Sequence, residues 1–125
     1  MRKAAQDEAL LDVVIESDKV SDEVIGFHCQ QAAEKMLKAL LSDLGAAFHK
    51  THELGALMDT LSRFGAPLPG EFENLDMLTP FGAVYRYDDY DSAESLNRTE
   101  TRAMLRSLRT WVEDRLHTRF GSDLT

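Results

Sequence analysis

Glu34 and Lys38 stand four residues apart in a strongly helical stretch, so a carboxylate and an ammonium share one helix face within reach of a common ligand. The same spacing is also the commonest way to solvate a helix face, where a pair contributes only a few tenths of a kcal/mol. His28 falls one turn before Ala32 on the apolar side of that stretch, which suits a hydrogen-bonded core or interface imidazole better than a ligand or a catalyst. His52 follows Thr51, a candidate helix cap, and is expected to bind nearby backbone or side-chain groups. With His49 it spells His-x-x-His, but no third acid or cysteine stands at convincing zinc spacing, so no metal site is expected. Arg86 lies between Tyr85 and Tyr87, and a guanidinium flanked by aromatics can grip phosphate or stack on a base. Alternatively, Arg86 pairs with Asp88, Asp89 or an acid of the central helix and pins an irregular segment. Arg98, Arg102, Arg106 and Arg109 recur at helical spacing and line one stripe, either a solvated face or a surface for phosphate or an acidic partner.

These groups need a frame. With 125 residues and 43% hydrophobic content the chain can build one core but hardly two, so residues 1–125 are expected to form a single domain. Cys29 is the only cysteine, which rules out an intrachain disulfide and a multi-cysteine metal site; a small buried hydrophobe in a reducing compartment fits it. The first eight residues carry acids where a signal peptide needs an apolar core, and no run approaches the length of a membrane span, so a cytoplasmic location is expected. A net charge of −8 works against long-range attraction to nucleic acid. The exception is the segment 98–125, where six arginines face four acids.

Apolar spacing of three to four residues dominates, and strand signals are nearly absent. Leu10, Leu11 and Val14 mark a first helix over residues 3–17. Ser21 is suited to cap a second over 22–44, whose apolar positions Val24, Ile25, His28, Ala32, Met36, Leu37, Ala39, Leu40, Leu41 and Leu44 form a face too wide for a surface helix. It should be central. Gly45 supplies a left-handed stop, and Thr51 can cap a third helix with the stripe Leu54, Leu57, Met58 and Leu61. After a Gly/Pro loop at 65–70, residues 71–86 resume helical spacing with Pro80 inside, which predicts a kink. The last helix begins at Asn97, capping-box spacing from Glu100, and buries Met104, Leu105, Leu108, Trp111, Val112 and Leu116. The expected architecture is all-α, an antiparallel up-and-down bundle of about five helices.

The run from Gly26 to Leu41, with an aromatic, His28, then Gln30-x-Ala32-x-Glu34-Lys35-x-x-Lys38-Ala39, resembles the signature helix of HEPN domains. Thr51-His52-Glu53-Leu54 resembles that family's Thr-His-x-Leu element, and Arg86-Tyr87-Asp88 its later Arg-Tyr-Pro/Asp motif, in the right order over roughly residues 5–118. The resemblance implies a dimeric helical bundle, often encoded beside a minimal nucleotidyltransferase partner. Its ribonuclease branch carries an arginine four to six residues before a histidine; Arg86 is followed by Tyr87 through Leu96 without one, and His117 has no arginine at 110–112. The family also resembles the helical domain of aminoglycoside nucleotidyltransferases, where a Glu and a Lys four residues apart serve the transfer site, the spacing of Glu34 and Lys38. The acidic metal-binding motif that such chemistry needs is missing, so these two would complete a site that a partner supplies. The resulting expectation is an interaction module, not a self-sufficient enzyme, with no catalytic residue, metal or cofactor of its own. It would be a homodimer that pairs with a nucleotidyltransferase-type protein and contributes Glu34, Lys38, Arg86, Tyr85, Tyr87 and His28 to nucleotide or partner binding. The alternative is a degenerate endoribonuclease, the RNA-cleaving toxin of a toxin–antitoxin pair.

Overall fold

The computed structural model describes the backbone of residues 1–48, 50–86 and 96–123, and the side chains at 1–48, 50–82 and 96–116. These hold four α-helices, α1 (Arg2–Val14), α2 (Asp22–Asp43), α3 (Leu54–Arg63) and α4 (Arg98–Asp123), and two 3-10 helices, Gly70–Phe72 and Leu75–Arg86, with no strand among them. The fold is all-α, as the spacing predicts, and the fifth member of the bundle is the 3-10 segment Leu75–Arg86.

Local chemistry accounts for most boundaries. Ser21 Oγ accepts from Val24 N–H at 3.3 Å and starts α2, and Asn97 Oδ1 accepts from Glu100 N–H at 3.0 Å and starts α4. Helices α2 and α3 both end in paired backbone bonds that only a left-handed residue can close: Gly45 (φ 71°) follows α2 and Gly65 (φ 80°) follows α3. Helix α1 stops earlier than expected, with Ile15 as its C-cap in place of residue 17.

Helix α2 packs against α1, α3, α4 and the long 3-10 segment, which is why so much of its circumference is apolar. Ile25, Cys29, Ala32, Ala33, Met36, Leu37, Leu40 and Leu41 are all buried, in one contiguous cluster with Leu11, Leu54, Leu57, Leu61, Phe72, Leu75, Leu105, Leu108 and Val112. Two of the expected apolar positions are exposed: Leu10 and Val24, at 41% and 45%. The positions that turn inward on α1 are Ala4, Asp7, Glu8 and Leu11. Two of the four are acids, so α1 is held largely by charge. Glu8 pairs with Arg109, Asp12 with Arg102 and Arg106, and the carbonyls of Ile15, Ser17 and Val20 with Arg98, an order that sets α1 antiparallel to α4. Helix α4 in turn runs parallel to α2, since Arg98 meets Asp22 at one end and Trp111 shares a cavity wall with Leu44 at the other.

Two expectations need correction. Thr51 does not cap α3; its Oγ1 accepts from Glu53 N–H, within the preceding loop. The free N–H groups of Leu54 and Gly55 donate instead to Thr79 Oγ1 (3.0 Å) and Asp76 Oδ1 (2.8 Å) of the 3-10 segment, a cap supplied across the fold. Residues 71–86 do not form a kinked α-helix. They wind as 3-10 turns through Pro80, which has no N–H to donate to an α-helical ladder.

Candidate functional site

The spacing that places Glu34 and Lys38 on one face of α2 holds, but Glu34 is not a solvated member of a surface pair. Its side chain is only 7% exposed and accepts from three donors: Gln30 Nε2 at 2.9 Å, His52 Nδ1 at 2.8 Å and Lys38 Nζ at 3.1 Å. Gln30, fully buried one turn before Glu34, also donates Nε2 to the His52 carbonyl at 2.9 Å and accepts from Gln31 at 2.8 Å. The loop that leads into α3 is thereby tied to the middle of α2 through both the backbone and the imidazole of His52.

Burial by itself raises the Glu34 pKa, but the hydrogen bonds from Gln30, His52 and Lys38, with the Lys38 charge, outweigh it and hold the carboxyl below its ordinary value of 4.5. Glu34 is therefore an anion that keeps a protonated Nδ1 on His52. The imidazole is 68% exposed, and its Nε2 has no partner among the described residues. Lys38, on the same carboxylate, is partly exposed. The cluster thus presents to solvent an oriented imidazole nitrogen and an ammonium, both fixed from below by one carboxylate. The ammonium can bind an anionic group such as a phosphate, and the imidazole nitrogen can accept a hydrogen bond or a proton.

The folded carboxyl titrates below the unfolded one, so the stability Glu34 contributes is complete above about 4.5 and is lost as pH falls through the lower folded value. In urea unfolding, Glu34→Gln should be less stable than the parent at about pH 7, and the difference should shrink as pH falls below about 4.5. A difference that stays constant over that range would show that the charge of Glu34 is not what the three donors recognise.

His28 does not join this cluster. It sits one quarter exposed between α1 and α2, its Nδ1 3.1 Å from Asp7 Oδ1, while Lys35 donates to the other oxygen of Asp7 at 2.6 Å. This matches a hydrogen-bonded histidine at a helix contact. Cys29 is fully buried, and burial pushes its thiol up to about 12. The side chains of Tyr85 and Arg86, and Tyr87, His49 and the side chain of His117 altogether, lie outside the described residues.

The basic stripe meets an acidic helix of the same chain, not solvent. Arg102, 7% exposed, forks onto Asp12 at 2.8 and 3.1 Å and reaches Glu8 at 3.0 Å. Arg109 pairs with Glu8 and Glu113, and Arg98 joins Asp22 while donating to three carbonyls where α1 ends. Of the four, only Arg106 is largely exposed, and it lies 3.3 Å from Asp12. Spacing alone could not tell these cases apart, although acids at the inward positions of α1 were the available hint. Gln30 was likewise missed as a site residue, with its four-residue distance from Glu34 as the only signal.

Among the described residues no group of three or more His, Cys, Asp or Glu side chains is arranged to hold a metal ion, and no helix is long and apolar enough to cross a membrane. A family model, the HEPN domain, matches residues 1–115. A search of curated proteins and of solved structures finds no match.

Proposed function

We propose, from the premise that the chain belongs to the HEPN domain family, that it is a nucleotide-binding helical module that acts as a homodimer beside a nucleotidyltransferase-type partner in the cytoplasm. The observation that carries this reading is the Glu34 cluster: a buried carboxylate that orients Lys38 and His52 outward at one surface. The Lys38 ammonium suits a nucleoside phosphate, the outward imidazole nitrogen can accept a hydrogen bond from the sugar or base, and the tyrosine-flanked Arg86 would add a second phosphate or base contact. His28 serves the module by fastening α1 to α2 through Asp7. The homodimer is supported by the family's habit and by exposed aliphatic side chains, Leu10 and Val13 on α1 and Val24 on α2. The partner follows from the family alone, and the lone, buried Cys29 fits the compartment.

Binding is tested by titrating the protein with nucleoside mono-, di- and triphosphates in a thermal-shift assay, beside Glu34→Gln and Lys38→Ala. A ligand should raise the melting temperature of the parent and do so far less in either variant. Equal shifts in all three proteins would remove the site from Glu34 and Lys38. Light scattering at micromolar concentration tests the dimer, and a strict monomer would refute it.

One observation favours a second reading, a metal-free endoribonuclease: His52 Nε2 meets no partner among the described residues while Glu34 holds Nδ1, the arrangement that makes an imidazole a general base. It ranks second because Arg98, Arg102 and Arg109 are committed to acids and carbonyls of the same chain, which withdraws most of the α4 arginine stripe from an RNA backbone. Cleavage of RNA by the parent and not by His52→Ala would reverse the order.

A further inference from the structure

The C-terminal ends of α2 and α3 and the second half of α4 border an open cleft of about 420 Å³ that shares no residue with the Glu34 cluster. Leu40, Leu44 and Ala66 form its apolar base, and Phe64 and Trp111 its aromatic walls. Phe64 is half-exposed, and Trp111 packs against Phe72, with ring centroids 6.4 Å apart. The volume falls in the range of small-molecule sites.

The charged groups at the rim narrow the ligand. Arg98, Arg102, Arg106 and Arg109 all pair with acids, but Arg115 has no ion pair among the described residues. Its guanidinium carbon lies 4.5 Å from the centre of the Trp111 ring. A guanidinium held over a ring uses one face for the aromatic and keeps its in-plane N–H fork for a carboxylate. Asp114, also at the rim and without an ion pair among the described residues, would repel a second negative charge.

We propose that this cleft is a binding site for a small monocarboxylate with an aromatic or branched aliphatic body, the body between Phe64 and Trp111 and the carboxylate on Arg115. For a ligand of this size the affinity should be modest, a Kd of about 1 mM.

Trp111 is the only tryptophan in the chain, so its fluorescence reports on this cleft directly. Phenylacetate and isovalerate should each change that fluorescence saturably. Phenylacetamide, which keeps the ring and lacks the charge, and phenylsuccinate, which carries two charges, should bind about tenfold more weakly or worse. Arg115→Gln should weaken phenylacetate by about the same factor, and Arg115→Lys, a point charge without the fork, by less. Arg115 is exposed, so these variants should keep the parent's circular dichroism and melting temperature. No saturable change up to about 10 mM, equal binding of the amide, or unaltered binding in Arg115→Gln would each overturn the proposal.

Discussion

Glu8→Ala should lower the free energy of unfolding by about 3 kcal/mol, the lower end of the loss expected when one partner of a buried ion pair is removed. Glu8 is 6% exposed and divides its two oxygens between Arg102 and Arg109. Removing it leaves the guanidinium of Arg102, 7% exposed, facing an emptied space. Asp12 keeps its fork on Arg102, which is why the upper end of the range is not expected. The loss is mostly the burial of an unanswered charge, so replacing both partners by leucine should recover much of it, while Glu113→Ala, at the exposed end of the same network, should cost well under 1 kcal/mol. Urea unfolding of the four proteins decides the matter. A Glu8→Ala variant within about 0.5 kcal/mol of the parent would mean that α1 is held by Ala4 and Leu11 and not by charge.

The second large effect is expected at Gly26. A Cβ there would lie 2.2 Å from Cδ1 and 2.5 Å from Cγ of Phe81, distances no pair of carbons tolerates. A turn of the ring about χ2 leaves Cγ in place, and a swing about χ1 would drive a buried ring into its neighbours, so relief requires repacking of Phe81 or a shift of the 3-10 segment. Overpacking of this kind costs about 1–3 kcal/mol, against a gain of about 1 kcal/mol from replacing glycine within a helix. Gly26→Ala should therefore be destabilised on balance. In a Phe81→Ala background, where the ring is gone, the same change should turn stabilising by up to about 1 kcal/mol. A cost equal in both backgrounds would mean that Phe81 does not rest on Gly26. The consequence would reach the proposed site, because Leu75–Arg86 includes Tyr85 and Arg86 and caps α3 through Asp76 and Thr79. Displacing it should weaken any ligand that Arg86 helps to hold.

Helix positions and ends were largely legible in the residues. Ser21 and Asn97 start α2 and α4, Gly45 stops α2, and Leu105, Leu108 and Val112 turn inward, because capping and periodicity are contests between groups within a turn or two of one another. The width of the apolar face on α2 likewise identified it as central. The pairing of Glu34 with Lys38 was readable for the same reason, being a contact across a single turn.

Only the tertiary structure decided what the charged faces do. An arginine stripe has the same spacing whether it meets water or a helix, and Arg102 finds Glu8 across 94 positions of sequence. The cap of α3 comes from Thr79, 25 residues away, and the carboxylate that accepts from one nitrogen of His52 and turns the other outward lies 18 residues before it. Local spacing determines which side of a helix a side chain occupies. Which partner stands opposite that side depends on how distant segments pack, since the strength of a charge or a hydrogen bond is set by the burial and the neighbour that packing brings.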